Sequence, residues 1–427
     1  MLIELSVANY RSIRGRQTLS LVAGPGTEMR APNVADAPGD LALLRVAAIY
    51  GPNASGKSNL FKALGALQMM VQKSAIASQL GQPLPLVPFR LEAATEEQPT
   101  EFEIHFIAGD RVRYQYGLAA TAGQVHEEWL IAYPHGRAQH WFERKRASTG
   151  DTVWKFGSYF LGSAAQRKVW RESTRDNALF LSTAVQLNNE QLKSVFQWLT
   201  QELIVVASGA STMNPILSFD LLRSETGAHR IMGLLRAADI DIDHLELKEE
   251  DMPPLMSGMA RIDIRLPSPL GGVQPPVQNK VFHLMSWHKR KDDGEAVAFD
   301  LGEESDGTRK LFDYAGGLLQ AIDHGATVCI DELDRSLHPH ISRFLVELFQ
   351  HSNNPKNAQL VFSTHDVTLM DQDLLRRDQV WFIEKDARGG SRLYPLLDYS
   401  PRKGEALERG YLKGRYGAVP LTGTLES

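Results

Sequence analysis

The sequence predicts a protein of the α/β class, and three observations support that prediction. Residues 44–50 form a short apolar run that is typical of a buried strand. A glycine-containing turn follows at 51–58, and after it apolar side chains recur at helical spacing. A second apolar run, 327–330, is followed by a helical pattern and a third apolar run, 359–363. Strands that alternate with helices predict a parallel sheet with helices on its faces.

The other elements follow from the spacing of apolar residues along the chain. Residues 2–8 are predicted to form a strand. Between about 84 and 146, polar and apolar residues alternate between glycine-containing turns, which predicts an antiparallel sheet. Residues of about 155–236 are predicted to be mostly helical, and the acidic stretch 239–251 to be a strand. Further short strands are predicted at 261–266, 281–287, 296–301, 379–384 and 391–396, and helices after 305 and from Pro339.

Composition excludes several classes of protein. The 427 residues are 43% apolar and 23% charged, which excludes a disordered or collagen-like chain. The net charge of −5 means that contact with nucleic acid would need a local basic patch. A single cysteine, Cys329, excludes an intramolecular disulfide. No apolar run reaches 18 residues, the length that a membrane-spanning helix needs. The apolar stretch at the N-terminus is interrupted by Glu4 and is not preceded by the basic residues of a signal peptide. We therefore expect no membrane span, no signal peptide and a cytoplasmic location.

The turn after the first buried run carries the strongest chemical signal. It matches G-x-x-x-x-G-K-[ST], a loop whose backbone N–H groups and following helix N-terminus bind phosphates. We predict that Lys57 reaches the β- and γ-phosphates of ATP and serves catalysis, and that Ser58 ligates Mg²⁺. The predicted nucleotide-binding residues are Gly51, Pro52, Asn53, Ala54, Ser55, Gly56, Lys57, Ser58 and the next residue, Asn59.

Three further motifs place polar residues where ligands bind in open α/β sheets. Asp331 and Glu332 end the apolar run at 327–330, and we expect Asp331 to hold Mg²⁺ through water and Glu332 to act as general base. His365 follows the next predicted strand and is expected to donate a hydrogen bond to the γ-phosphate. Ser305 and Gly307 open a helix, where a hydroxyl, a glycine backbone and a helix N-terminus can bind an anion.

In this order the phosphate loop, the signature, the carboxylate strand and the switch histidine resemble the head of ABC-type ATPases. The resemblance is strongest over 1–75 and 295–385. The signature reads ESDGT rather than the LSGGQ of transporters, and Asn9-Tyr10-Arg11-Ser12-Ile13 is similar to the chromosome-maintenance and RecF branch. The resemblance implies that Arg11 lies near the nucleotide and that Asp334 belongs to the D-loop. Segment 84–92 stands where a Q-loop is expected but contains no glutamine.

The resemblance also implies an architecture: an ABC-type P-loop ATPase head, with a mixed sheet, flanking helices, an antiparallel β subdomain and a largely helical insertion. Residues 1–150 would form one ATPase lobe, 151–255 the mainly helical insertion and 256–427 the second lobe. Three stretches, IDELDRSLHP, NALFLS and YLKGRYGAVP, are similar to AAA/ABC-hybrid ATPases of bacterial abortive-infection and anti-phage systems of the PARIS, Septu and OLD-like kinds. Because few residues follow His365 in this sequence, we expect no Toprim nuclease domain like that of the OLD-type enzymes.

These resemblances imply an ATP-hydrolysing switch that uses ATP and Mg²⁺ and dimerises, or assembles further, around ATP. Ser305 and Gly307 would act across the dimer interface, and a partner effector encoded nearby, such as a nuclease, would carry the output. The alternatives are a RecF-like DNA-repair ATPase, a transporter ATPase and a non-enzymatic nucleotide-binding scaffold. Residues 137–176 hold nine Lys and Arg against four acids, which fits either a nucleic-acid-binding face or an ordinary solvated one.

Overall fold

The structure is a computed structural model that describes residues 1–77, 79, 81–207, 213, 215–251, 280–350 and 354–420. The chain divides into two compact units. The first comprises Met1–Gly209, Ala321–Arg335 and Leu345–Ser427, and the second comprises Ala210–Gln320 and Ser336–Phe344. These units group the residues differently from the predicted parts 1–150, 151–255 and 256–427. That three-part division stays a prediction, and its boundary at 255 lies outside the described residues.

The strands of the described residues are numbered in chain order. They are β1 (Leu2–Ala8), β2 (Gln17–Ser20), β3 (Val34–Ala37), β4 (Leu41–Leu44), β5 (Val46–Tyr50), β6 (Thr100–Ile107), β7 (Arg113–Ala120), β8 (Val125–Tyr133), β9 (Gln139–Arg146), β10 (Thr152–Phe156), β11 (Leu203–Val206), β12 (His244–Asp251), β13 (Lys280–Lys289), β14 (Ala296–Asp300), β15 (Thr327–Ile330), β16 (Gln359–Ser363), β17 (Val380–Lys385) and β18 (Ser391–Pro395).

The helices are numbered in the same way, and short 3₁₀ and π turns join some of them to the strands. They are α1 (Arg30–Asn33), α2 (Lys57–Lys73), α3 (Ala93–Glu96), α4 (Ala164–Ser173), α5 (Phe180–Gln186), α6 (Lys193–Gln197), α7 (Ile216–Leu222), α8 (Glu225–Ala237), α9 (Asp306–His324), α10 (Pro339–Gln350) and α11 (Leu407–Leu412). Within the described residues, no helix is both long enough and apolar enough to cross a membrane.

The first unit contains a six-stranded sheet with the order β11-β15-β16-β5-β17-β18. The first five strands pair in parallel, and β18 pairs antiparallel with β17. The parallel sheet predicted from alternating strands and helices is therefore confirmed. The prediction of a mostly helical region at 155–236 missed β11, because a run of four apolar residues after a helical pattern shows no strand periodicity of its own.

The first unit also contains a seven-stranded antiparallel sheet with the order β10-β9-β8-β7-β6-β1-β2. It confirms the antiparallel sheet predicted between 84 and 146 and adds β1, β2 and β10 to it. Helix α2 belongs to one apolar core with both sheets, because its Leu64 and Leu67 share a buried cluster with Ile49 of β5 and Phe106 of β6. The predicted α/β class, with a mixed sheet flanked by helices and an antiparallel β subdomain, is thus confirmed.

The second unit is built around the three-stranded antiparallel sheet β12-β13-β14. These strands confirm the predictions made for 239–251, 281–287 and 296–301, whereas the strand predicted at 261–266 lies outside the described residues. Helices α7 and α8 pack beside β12, and the buried Ser218 of α7 donates to the carbonyl of Phe312 in α9 at 2.6 Å. Ser218 also accepts from the backbone N–H of Gly316 at 2.9 Å, which ties the two helices together.

The basic segment 137–176 is largely occupied with contacts inside the fold. Arg144 is buried and forms an ion pair with the buried Glu128 at 2.9 Å. The carboxylate of Glu128 also accepts from the backbone N–H groups of Phe180 and Leu181 at the start of α5. Seven more of the nine basic residues have partners, which are Glu127 for Lys145, Asp176 for Arg146, Glu143 for Lys155, the Phe160 carbonyl for Arg167, Glu172 for Lys168 and Arg171, and the Ser74 carbonyl for Arg175. The charge of the segment is thus largely paired within the chain, and nucleic-acid binding by this segment stays a prediction.

The buried pair makes a direct prediction about stability. Replacing Arg144 by Ala leaves the Glu128 carboxylate buried without its counter-charge, and we expect a loss of about 3–5 kcal/mol in the free energy of unfolding. The measurement is urea unfolding. Lys145→Ala is the matched control, because Lys145 is the next residue of β9 and pairs at the surface with Glu127, where the loss should stay below about 1 kcal/mol. Equal losses for the two variants would contradict the prediction.

Candidate functional site

The predicted phosphate loop lies between β5 and α2, as its motif requires. All five residues of β5 are buried, and the loop begins at Gly51 and ends at Gly56, which precedes the first residue of α2. Gly56 has φ +113°, a left-handed conformation that favours glycine. A Cβ on Gly51 would come within 2.2 Å of the carbonyl oxygen of Ile383, so this position has no room for a side chain. Both glycines are therefore required by the backbone of the loop.

Lys57 folds back onto this loop. Its Nζ donates to the carbonyl of Gly51 at 2.6 Å and to that of Pro52 at 3.1 Å. Burial lowers the pKa of Lys57, an effect that the nearby carboxylates, with Asp331 the strongest, partly oppose. The ammonium of Lys57 thus lies at the mouth of the loop, where it can exchange carbonyl oxygens for phosphate oxygens.

The loop encloses a small cavity of about 200 Å³, lined by residues 52–59, Glu332 and His365. The Ser55 hydroxyl is buried and has no hydrogen-bond partner within the described part of the chain. A buried hydroxyl without a partner is costly in a folded protein, so this one fits a ligand that brings an oxygen acceptor. Phosphate oxygens meet that requirement.

The carboxylates Asp331 and Glu332 follow β15 directly, and a serine on the neighbouring strand holds them. Ser363, the last residue of β16, donates its hydroxyl hydrogen to Asp331 Oδ1 at 2.6 Å. Ser363 Oγ in turn accepts from the backbone N–H of Glu332 at 2.8 Å, and the Ser363 carbonyl accepts from Leu333 N–H at 3.0 Å. Glu332 adopts φ +56°, which is rare for a side chain of this kind and turns the chain sharply at the sheet edge.

His365 and Asp334 are also adjacent. The backbone N–H of His365 donates to both carboxylate oxygens of Asp334, at 3.3 and 3.2 Å. Partial desolvation, followed by the charge of Lys57, lowers the pKa of His365 below its usual range. This direction favours the uncharged imidazole, which can donate a hydrogen bond through one ring nitrogen.

The turn Asn9–Ile13 has a structural role that its sequence did not reveal. The Asn9 side chain donates to the carbonyls of Thr95 and Gln98 and accepts from the backbone N–H of Phe89. Arg11 is exposed, with φ +50°, and its Nε donates to the hydroxyl of Tyr10 at 3.3 Å. The contact of Arg11 with a nucleotide stays a prediction.

Ser305 and Gly307 belong to the second unit. The Ser305 hydroxyl accepts from the backbone N–H of Thr308 at 3.1 Å, so it caps α9. Both residues line a cavity of about 820 Å³ that also contains Ser336, His338 and His340. A Cβ on Gly307 would come within 3.1 Å of the Ser336 carbonyl, so the glycine keeps this approach open.

The structure thus brings together, in the first unit, the phosphate loop, Asp331, Glu332, Asp334 and His365, and it places the signature residues in the second unit. Sequence reasoning missed the role of Ser363 in holding Asp331, and it missed Ser12 and Ser391, whose hydroxyls share a hydrogen bond beside the loop. Ser12 and Ser363 stand inside motifs that the sequence analysis had singled out. Ser391 follows a glycine pair in a hairpin, and no sequence pattern marks it.

The residues also fit a bound Mg²⁺. Within the described ranges no three His, Cys, Asp or Glu side chains cluster as a metal site. Mg²⁺ is usually held by one or two protein oxygens together with substrate phosphates and water, so a dedicated cage is not required. Ser58, which lines the small cavity, and Asp331 at the same sheet edge are the residues that would hold it.

A sequence model of one protein family matches residues 46–195 and 202–371, about three quarters of the chain. The family is described as "AAA domain, putative AbiEii toxin, Type IV TA system". No curated protein matches the chain significantly.

Several solved structures align over most of this chain at low identity. The SMC head domain from Thermotoga maritima is 13% identical, and the alignment covers 92% of this chain and 98% of that one with a TM-score of 0.37. The Smc head domain from Pyrococcus furiosus, bound to the C-terminal domain of ScpA, is 10% identical, with 92% and 95% coverage and a TM-score of 0.42. The recombination mediator RecF bound to ATP is 14% identical, with 86% and 93% coverage and a TM-score of 0.36.

Proposed function

The chain belongs to this AAA-domain family, and on that basis we propose that it is the ATP-binding and ATP-hydrolysing switch subunit of a bacterial anti-phage defence system. The observation that carries the proposal is the cavity shared by the phosphate loop, Glu332 and His365. These three groups come from three adjacent parallel strands of one sheet, where phosphate-binding and catalytic residues of α/β proteins gather.

Each side chain of this cavity has a defined task in the proposed reaction. The loop N–H groups and Lys57 bind the β- and γ-phosphates, and the N-terminus of α2 adds favourable partial charge. Glu332 accepts a proton from the attacking water, and a ring N–H of His365 donates a hydrogen bond to the γ-phosphate. Mg²⁺, when bound by Ser58 and Asp331, supplies charge neutralisation at the phosphates.

We further propose that two chains complete each other's sites. The Ser305 hydroxyl, the backbone at Gly307, which no side chain covers, and the N-terminus of the 19-residue helix α9 lie next to one another. Together these groups can bind an anion. In a head-to-tail dimer this surface of one chain would meet the γ-phosphate held by the other. Arg11 and Asp334 would lie beside the nucleotide in the same closed state.

The defence role and the partner are the finer parts of the proposal. The family description names a toxin of a toxin–antitoxin system, and such systems act through two gene products. The carboxylates that follow β15 are assigned to the nucleotide, and the described residues hold no metal cluster for a nuclease centre. A separate effector, such as a nuclease, would then carry the output. Direct DNA binding, as in a RecF-like repair ATPase, is less well supported because the basic segment is occupied by internal contacts.

Two substitutions separate binding from hydrolysis. Glu332→Gln keeps the shape of the side chain but cannot take a proton, so we expect ATP binding to persist while turnover falls by about 100-fold or more. Lys57→Ala removes the charge that faces the phosphates, so binding itself should be lost. Lys73→Ala, at the exposed end of the same helix, is the matched control and should behave as wild type. Wild-type turnover in Glu332→Gln would show that the general base was assigned wrongly.

Mixing variants tests the shared site. Ser305→Arg should leave ATP binding intact and abolish hydrolysis, because the signature surface can no longer approach the partner's nucleotide. An equal mixture of Ser305→Arg and Lys57→Ala should regain part of the activity, since one intact composite site forms per mixed dimer. Ser224→Arg is the control: it removes an equivalent helix cap, at α8, without touching the signature. Normal hydrolysis by Ser305→Arg alone would refute the shared site.

Co-expression with the neighbouring gene product tests the partner. We expect a stable stoichiometric complex whose yield differs with and without ATP, and protection of the host against phage that is lost in Lys57→Ala. The readouts are co-purification and phage plaque counts. A chain that purifies alone, cleaves DNA and protects cells without its neighbour would contradict the proposal.

A further inference from the structure

We propose that Ser391 and Ser12 are positioning residues of the phosphate loop, acting through a chain of hydrogen bonds that fixes the peptide between Ser55 and Gly56. The inference rests on the proposed ATP binding and extends it to two serines that lie 379 positions apart in the sequence. Neither serine lines the small cavity, so their influence on a nucleotide would be exerted through the loop.

The hydrogen bonds form one continuous, consistently directed chain. The Asn59 side-chain amide donates to Ser12 Oγ at 2.7 Å. Ser12 and Ser391 share a bond between their hydroxyl oxygens at 2.8 Å, and Ser391 Oγ donates to the Ser55 carbonyl at 2.6 Å. Because Ser391 spends its hydrogen on that carbonyl, Ser12 must be the donor between the two serines. This chain of hydrogen bonds therefore starts at Asn59 on α2 and ends at the Ser55 carbonyl in the loop, and Gly56 lies between these two residues.

The backbone and the packing around Gly56 support the same arrangement. The backbone N–H of Ser391 donates to the Ser12 carbonyl at 2.7 Å, which holds the two serines together independently of their side chains. A Cβ on Gly56 would come within 2.1 Å of Ser391 Oγ and 2.7 Å of Ser12 Oγ. The two hydroxyls thus lie directly against the glycine, and no other residue type fits there.

The consequence for phosphate binding follows from the planarity of the peptide bond. In a trans peptide the carbonyl of Ser55 and the N–H of Gly56 point in opposite directions. The donor from Ser391 fixes the carbonyl on its own side, so the N–H of Gly56 points away from Ser391. Gly56 lines the small cavity, and its N–H is one of the groups that a phosphate loop presents to phosphate. Ser391 would therefore preorganise a phosphate donor that it does not touch.

The test measures binding of N-methylanthraniloyl-ATP to the full-length chain, together with KM and kcat of ATP hydrolysis. Ser391→Ala should raise the Kd and KM about three- to tenfold, the worth of one hydrogen bond, with kcat within about twofold of wild type. Ser12→Ala should have a smaller effect, because Ser391 can still donate to the loop. The double variant should be no worse than Ser391→Ala within about twofold, since both changes break one chain.

Ser182→Ala is the matched control. Its buried hydroxyl donates to the Val71 carbonyl at 2.7 Å, so the same kind of bond is lost at the other end of α2. It should lower the melting temperature without changing the Kd. An unchanged Kd in Ser391→Ala, or an equal rise in Ser182→Ala, would overturn the inference while leaving ATP binding established. Failure of the wild-type chain to bind the nucleotide would overturn the proposed function and the inference together.

Discussion

Parallel pairing of β15, β16 and β5 is the constraint on which the candidate site depends. Parallel strands end at the same edge of a sheet, so the phosphate loop, the two carboxylates and His365 meet there although more than 300 positions separate the loop from His365 in the sequence. Strand β16, which lies between β15 and β5, is held by hydrogen bonds at both ends. At its start the buried Gln359 side chain accepts from Leu2 N–H at 2.6 Å and donates to the Leu2 and Leu44 carbonyls. At its end Ser363 holds Asp331, and any shift of β16 would therefore move the site.

The parts of the site that the sequence predicted are those whose chemistry demands residues at fixed spacing. The phosphate loop needs glycines where the backbone has no room or a left-handed φ, and both Gly51 and Gly56 meet that need. The carboxylates needed only a buried strand before them, which β15 provides. Most strands and helices were predictable for the same reason, since their apolar spacing is local. Strand β11 was not, because four residues are too few to show a period.

Long-range contacts were beyond sequence reasoning. Ser391 and Ser12 meet only because β18 and the turn after β1 converge on the loop, and a serine alone carries no sign of such a partner. The clustered basic residues in the sequence were misleading for a related reason. The basic run around Arg144 can be interpreted as a binding face in one dimension, yet Glu128, on the adjacent strand, neutralises its most buried member. The partner of a charge decides its role, and the fold supplies the partner.

The electrostatics of the first unit bear on the proposed need for a second surface in hydrolysis. Asp331, Glu332 and Asp334 all act on the pKa of Lys57, so three carboxylates lie within electrostatic reach of this ammonium. A bound triphosphate would add further negative charge to the same place. Mg²⁺, when bound, and the N-terminus of α2 would offset part of that charge. The transition state spreads negative charge over the γ-phosphoryl oxygens. The oxygens that would face the open side of the cavity still need hydrogen-bond donors. The hydroxyl of Ser305 and the N-terminus of α9, presented by a second chain, would supply donors and favourable dipole without another carboxylate, so turnover would follow from dimerisation rather than from binding.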